Sequence, residues 1–361
     1  MSQRNAIEGL MTPGVPAAFF AAALFGAGTP LAKALLVSID PWLLAGLLYT
    51  GSGVALTLLR WVRPVPRGSL TRSEWTFLIG AIATGGVIAP VLLMSGLSLM
   101  AAAGASLLLN AEGVFTALLA WFVFRENFDR RIALGMVAIA AGAVTLSWGG
   151  EIGGGIGPLL VLGACLCWAV DNNLTRKIAL LDATWLASVK GASAGVVNLL
   201  LAIATGAMWP DIARGAAALG VGALAYGASL VLFVVALRHL GSARTTAYFS
   251  TAPFVGAVLS ILWLGDPVTP RLAVAAALMG AGVWLHLTER HEHVHHHEAL
   301  EHEHEHVHDE HHQHAHDVEV PPGTRHTHAH RHEPMTHSHH HFPDAHHTHD
   351  HGNDQRAASI R

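Results

Sequence analysis

The chain has 361 residues, of which 52% are hydrophobic and only 13% charged, with a formal net charge of −4. A soluble globular domain carries about a quarter of its residues as charges, so a single soluble domain is excluded. Residues 1–288 hold 16 basic and 11 acidic side chains, whereas residues 289–361 hold 5 and 14 together with 25 of the 27 histidines, so an apolar body precedes a histidine-rich tail.

Residues 1–12 show neither a basic leader nor a small-residue cleavage site, and the first apolar run leads into many more. This predicts a first membrane helix in place of a cleaved signal. A bilayer core needs about 20 apolar residues of helix. Runs near 16–36, 41–62, 75–98, 101–124 and 131–149 predict five such spans. After "GGEIGGGIG" come runs near 157–178, 183–206, 213–237, 241–264 and 269–287, which predict five more. The breaks are short and hold Pro, Gly or charge, as helix connections should. The expected organisation is a cytoplasmic segment 1–12, a first five-helix repeat 13–149, a glycine-rich linker 150–156, a second repeat 157–287 and a tail 288–361.

Basic residues set the expected direction. With the N-terminus inside, the cytoplasmic segments hold Arg4, Arg60, Arg63, Arg67, Arg72, Arg125, Arg130, Arg131, Arg176, Lys177, Arg238, Arg244 and Arg290. The opposite loops hold only Arg214 and Arg271. The positive-inside rule then predicts N-in and C-in, with the tail in the cytoplasm. Nine of the ten tryptophans fall near predicted helix ends, where an aromatic belt belongs, and Trp168 alone sits mid-helix. Cys165 and Cys167 lie about 200° apart on a helix, which suits packing and not a disulfide or metal pair.

The stretch "LLNAEGVFTALLAWFVFRE" (108–126) aligns with "YFSTAPFVGAVLSILWLGD" (248–266). Each spans one helix, ends on an acid (Glu126, Asp266) and is followed by an Arg (Arg131, Arg271). A similar offset pairs Leu24 with Leu166, Asp40 with Asp182 and Gly53 with Gly195. The fold expected is therefore an all-α membrane protein of ten transmembrane helices in two five-helix repeats. Five is odd, so the second repeat is inverted. Such halves can rock about a shared midplane site.

These residues resemble the EamA-type carriers of the drug/metabolite transporter superfamily over roughly residues 13–287. The resemblance implies transport of small, commonly amino-acid-like metabolites through a cavity between the halves. Gly113 stands where that family usually has proline, and Pro253 keeps it in the second repeat.

Ionisable groups at membrane depth must line water or find partners. Glu112, at the midpoint of helix four, is a candidate proton carrier; Asn110 lies about 200° around the helix and cannot share its cavity. On helix six, Trp168, Asp171, Asn172 and Thr175 share a face, combining an aromatic wall with hydrogen-bonding groups. Asp171 is equally suited to a gate with Arg176 or Lys190. Lys190 itself could snorkel or serve the pathway, and Lys33 is expected to snorkel. Tyr226 and Tyr248 complete the substrate and proton pathway expected from the sequence. Pro30, Pro90, Gly113 and Pro253 are the expected helix breaks. Gly191 and Gly195 form a small-residue packing face.

The tail lacks apolar periodicity and is expected to be disordered. Within "HEHEHVHDEHHQHAH", His302, His304, His306, His308, His311, His312, His314 and His316 are candidate ligands for Zn, Ni, Co or Cu. The two body histidines, His239 and His286, lie near helix ends, so the body shows no matching metal chemistry. The expected function is a secondary carrier that exports a small metabolite, with proton coupling through Glu112 and a metal- or pH-responsive tail. A divalent-metal carrier and a membrane-tethered metal buffer are the alternatives, and a tether would need only one helix. No nucleophile–base constellation or nucleotide-binding motif points to an enzyme, and no cofactor is required. The partners expected are the lipid bilayer of a bacterial cytoplasmic membrane, a small-molecule substrate and divalent metal ions. A homodimer is a candidate assembly; nucleic acid is not expected.

Overall fold

The computed structural model describes residues 14–62, 70–124, 130–148, 155–178 and 182–287, together with four short strands in the tail. Its first compact unit, Met1–Glu289, holds the helices α1 (Gly14–Leu35), α2 (Pro41–Val62), α3 (Arg72–Leu99) and α4 (Ala102–Leu108 and Ala111–Phe124). They are followed by α5 (Arg130–Ser147), α6 (Ile156–Arg176), α7 (Ala183–Ala204), α8 (Ile212–Leu237) and α9 (Arg244–Leu264). Among the described residues these nine are long and apolar enough to cross a membrane. The tenth expected element, α10 (Pro270–Leu287), packs along α5. The body is an all-α membrane protein.

Packing repeats under exchange of the two halves. Helix α1 packs against α8 and α9, and its counterpart α6 packs against α3 and α4. Helices α2 and α7 pack on each other, as do α5 and α10. The α2–α7 crossing is close because it is built from small residues. A Cβ on Gly53 would run into the backbone of Ala192, and one on Gly195 into Thr50. Trp61, Trp75, Trp121, Trp148, Trp209, Trp263 and Trp284 are exposed near the helix ends, as a belt requires. Cys165 is buried, with its thiol on the carbonyl of Leu108, and both cysteines are free thiols.

The expected helix breaks fall differently. Pro30 lies inside an unbroken α1. Membrane helices tolerate such a proline because neighbouring helices absorb the lost hydrogen bond. Helix α4 breaks at Leu109–Asn110, before Gly113, and α9 breaks at the corresponding Ser250–Thr251, before Pro253. In both, a polar side chain bonds back three residues: Asn110 Nδ2 to Leu107 O at 2.9 Å and Ser250 Oγ to Ala247 O at 2.8 Å. In α4 that local competition ends the helix without a proline; in α9 it is joined by Pro253, which opens the next segment. Gly113 sits within the second segment of α4 with open space where its Cβ would be.

Pro90 follows a π-helical turn, Ile82–Ile88, and 140 residues later α8 carries the same feature at Gly222–Ala228. One apolar core joins Ala32, Leu43–Leu48, Leu93–Met100, Ala102–Leu108, Ala164, Ala202 and Ala257 toward the end where α1 stops and α3 turns into α4. At the opposite end there are two smaller clusters. Ala17, Ala18 and Ala236 form one; Leu78, Ile178 and Leu186 form the other.

The second unit, Arg290–Arg361, contains strands β1 (Glu292–His297), β2 (Glu301–His306), β3 (His326–Arg331) and β4 (Met335–His340). β1 pairs with β4 and β2 with β3, both antiparallel. The period-two alternation of "EHEHEH" is the strand repeat. His308, His311, His312, His314 and His316 lie outside the described residues, and His302, His304 and His306 are placed only by their backbone on β2.

Candidate functional site

The site is organised by the π-helical turn of α3. In a π-turn a backbone N–H reaches five residues back instead of four. Accordingly Ala89 N–H bonds Thr84 O, which leaves Gly85 O without its helical partner. Pro90 has no N–H to give, so Gly86 O is freed as well. Both carbonyls are satisfied by side chains from other helices. Gly85 O accepts from Tyr49 Oη of α2 at 3.0 Å and from Trp168 Nε1 of α6 at 2.9 Å. Gly86 O accepts from Asn198 Nδ2 of α7 at 3.1 Å. A bare carbonyl at this depth would cost about 1–3 kcal/mol, so the turn recruits three helices around itself.

Gly85 is also the floor beneath Asp171, since any Cβ there would overlap the carboxylate. Asp171 is 5% exposed. Lys190 Nζ contacts its Oδ1 at 2.5 Å and its Oδ2 at 2.7 Å. Thr175 Oγ1 donates to Asp171 Oδ1 at 2.9 Å and lies 3.3 Å from Lys190 Nζ. The pair is charge-compensated, and of the two basic partners expected for Asp171 it is Lys190 that meets it.

Glu112 is held differently. Its Oε1 accepts from Asn172 Nδ2 at 2.8 Å, and Asn172 also approaches Thr116 Oγ1 at 3.4 Å. Asn173 Nδ2 bridges Ala169 O and Thr116 O at 2.9 and 3.3 Å. Glu112, in the first turn of the second segment of α4, is half-buried, and Asn172, near the end of α6, is exposed. An amide partner leaves the carboxyl free to exchange a proton or a ligand group, which a bound ammonium would not.

The aromatic wall extends across the two repeats. Tyr226, on the π-turn of α8, lies 6.1 Å from the Tyr49 ring and edge-on to Phe25 at 5.8 Å. The structure therefore gathers Glu112, Trp168, Asp171, Asn172, Lys190 and Tyr226 around α3 and α6. Tyr248 stands apart, packed 4.8 Å from Phe19 in the small cluster at the start of α1. Sequence reasoning missed Tyr49, Thr116, Asn173 and Asn198. The signal available was "TGGVIAP", where Pro90 follows Gly86 by one helical turn, and the lone Asn198 in an apolar run.

The sequence pattern of the EamA-like transporter family matches residues 12–148 and again residues 155–288. A relative described as a probable terminal-alkyne amino-acid exporter, from Streptantibioticus cattleyicolor, is 30% identical over 259 residues, covering 70% of this chain and 86% of its own. An uncharacterized transporter of Methanothermobacter thermautotrophicus is 27% identical over 281 residues, covering 72% of this chain and 82% of its own. A solved crystal structure shares the fold with a TM-score of 0.56 at 20% identity, over 74% of this chain and 94% of the other.

Proposed function

We propose, from the premise that this chain belongs to the EamA-like transporter family, that it is a secondary-active exporter of a small polar or amphipathic metabolite, coupled to protons through Glu112. The observation that carries the reading is the contrast between two carboxyls 59 residues apart in sequence. Asp171 is neutralised by Lys190, whereas among the described residues Glu112 is held by the Asn172 amide on a polar face that is half-buried. Near that face stand Trp168, Tyr49 and Tyr226; with the indole N–H and the Tyr49 hydroxyl donating to Gly85 O, they offer ring faces suited to the apolar part of an amphipathic molecule. The relative described as an amino-acid exporter makes amino-acid-like compounds the first substrates to test, and efflux the first direction.

The lopsided distribution of Arg and Lys supports N-in and C-in insertion. The tail then meets the cytoplasm, where its histidines would bind Zn, Ni, Co or Cu, or take up protons, and report on the interior. Among the described residues no three His, Cys, Asp or Glu side chains gather as a metal site. The histidine content of the tail is the ground for reading it as a sensor or buffer.

The test is flux through the purified full-length chain in liposomes, screened with amino acids and with Zn, Ni and Co. Proton movement is read by an internal pH dye. Glu112→Gln should insert normally, lose proton movement and lose the pH dependence of flux. An unchanged pH dependence would make Glu112 structural and remove the coupling.

A further inference from the structure

Among the described residues the two halves of the packing exchange share a core at one end. Helices α1, α8 and α9 form one group, and α6, α3 and α4 the other. Toward the α3–α4 turn both groups feed a single core, with Ala32 and Ala257 from the first and Leu97, Met100 and Leu107 from the second. At the opposite end each group has its own small cluster, and there the polar Asn172 is exposed. Among the described residues the site is thus closed toward the α3–α4 turn.

Two charges stand at the closed end. Lys33, near the end of α1, was expected to snorkel; instead its Nζ donates to Leu97 O at 2.7 Å and Met100 O at 3.0 Å, with Ser98 O at 3.4 Å. These carbonyls belong to the C-terminal end of α3, where a helix leaves acceptors without partners. Asp266, after α9, accepts from the backbone N–H of Ala103 at 2.8 Å, in the first turn of α4. The two charges also attract each other. A cation on a helix C-terminus and an anion on a helix N-terminus each match the helix dipole. Both charges come from the α1–α9 group, and both grip the α3–α4 turn of the other group.

We infer that Lys33 and Asp266 are a latch that holds the carrier shut at the α3–α4 turn, and that their release is the step that opens the site on that side. The inference rests on the carrier reading but not on its substrate or its proton. Hydrogen bonds to a charged group are roughly twice as strong as neutral ones, so the grip is firm. It is also reversible, because each half can exchange its partner for water. Backbone acceptors and donors make the clasp independent of side-chain identity on the turn itself. Ser106 of α4 lies beneath it, 1% exposed, its Oγ close against the position a Cβ would take on Gly256.

The test reads accessibility. In the full-length chain with Cys165 and Cys167 changed to Ala, single reporters Ser106→Cys and Asn172→Cys are labelled with a water-soluble maleimide in liposomes permeable to it. With the latch intact, Asn172→Cys should label and Ser106→Cys should be protected. Lys33→Met or Asp266→Ala should raise labelling at Ser106→Cys about tenfold, the scale of losing a hydrogen bond to a charge, and lower it at Asn172→Cys. Lys33→Arg should keep the original pattern. Continued protection of Ser106→Cys in both latch variants would overturn the inference, and so would a rise at both reporters, which is general loosening. Glu112→Gln added to this background should leave the response to the latch variants in place, so a failed proton coupling and a failed latch give different results.

Discussion

Lys190→Met should be among the most destabilising single changes in the body, and Asp171→Asn added to it should restore most of the loss. The Asp171 side chain is 8% exposed and the Lys190 side chain 19%, so solvent cannot screen the charge that remains. Gly85 closes the space beneath the carboxylate, and among the described residues Thr175 is the other side chain hydrogen-bonded to it, at 2.9 Å. Removing one partner of such a buried pair costs roughly 3–5 kcal/mol. For a chain of this size that corresponds to a fall of about 10 °C in Tm. The assay is thermal unfolding of purified protein in detergent, followed by loss of the monodisperse peak, for both single variants and the double. In the double variant the orphaned charge is gone, and a coupling of at least about 2 kcal/mol should appear in the cycle. A loss below about 1 kcal/mol for Lys190→Met is the behaviour of a surface pair and would refute the buried-pair reasoning. Flux retained by the double variant would mark the pair as scaffold, leaving Glu112 as the working carboxyl.

Trp168→Ala should weaken substrate binding, read as a raised half-saturation of flux, more than Trp148→Ala or Trp263→Ala; equal effects at the three positions would remove Trp168 from the site. Asn198→Leu should cost about 1–3 kcal/mol in thermal unfolding by baring Gly86 O, whereas Asn198→Gln should cost less if its longer amide still reaches; a neutral Asn198→Leu would show that Gly86 O finds another donor. Truncation after Thr288 should leave flux intact and abolish its response to Zn or Ni on the tail side. Loss of all flux on truncation, or metal flux that needs the tail, would favour the metal-carrier reading.

Which parts of this were legible beforehand follows from the physics of each. Apolar runs and their charged punctuation announced the ten elements, because a bilayer demands about 20 residues of continuous helix wherever the chain crosses. The Glu126 and Asp266 registers announced the duplication, and the matching π-turns of α3 and α8 repeat the same 140-residue offset. Helical spacing put Trp168, Asp171 and Asn172 on one face of α6. It did not divide them, yet Trp168 and Asp171 serve the α3 turn while Asn172 serves Glu112.

Sequence alone set the expectation of ten apolar helices, of an apolar body followed by a histidine-rich tail, and of which ionisable groups fall inside the apolar runs, since these depend on composition summed along the chain. Tertiary structure decided the partners. Whether Lys33 reaches lipid or the carbonyls of α3, and whether Asp171 meets Arg176 or Lys190, depends on which helix end arrives within hydrogen-bonding distance. The two freed carbonyls show the reason most plainly. "TGGVIAP" contains the glycines and the proline, but only the approach of α2, α6 and α7 supplies the donors of Tyr49, Trp168 and Asn198 that make the π-turn affordable in a medium without water.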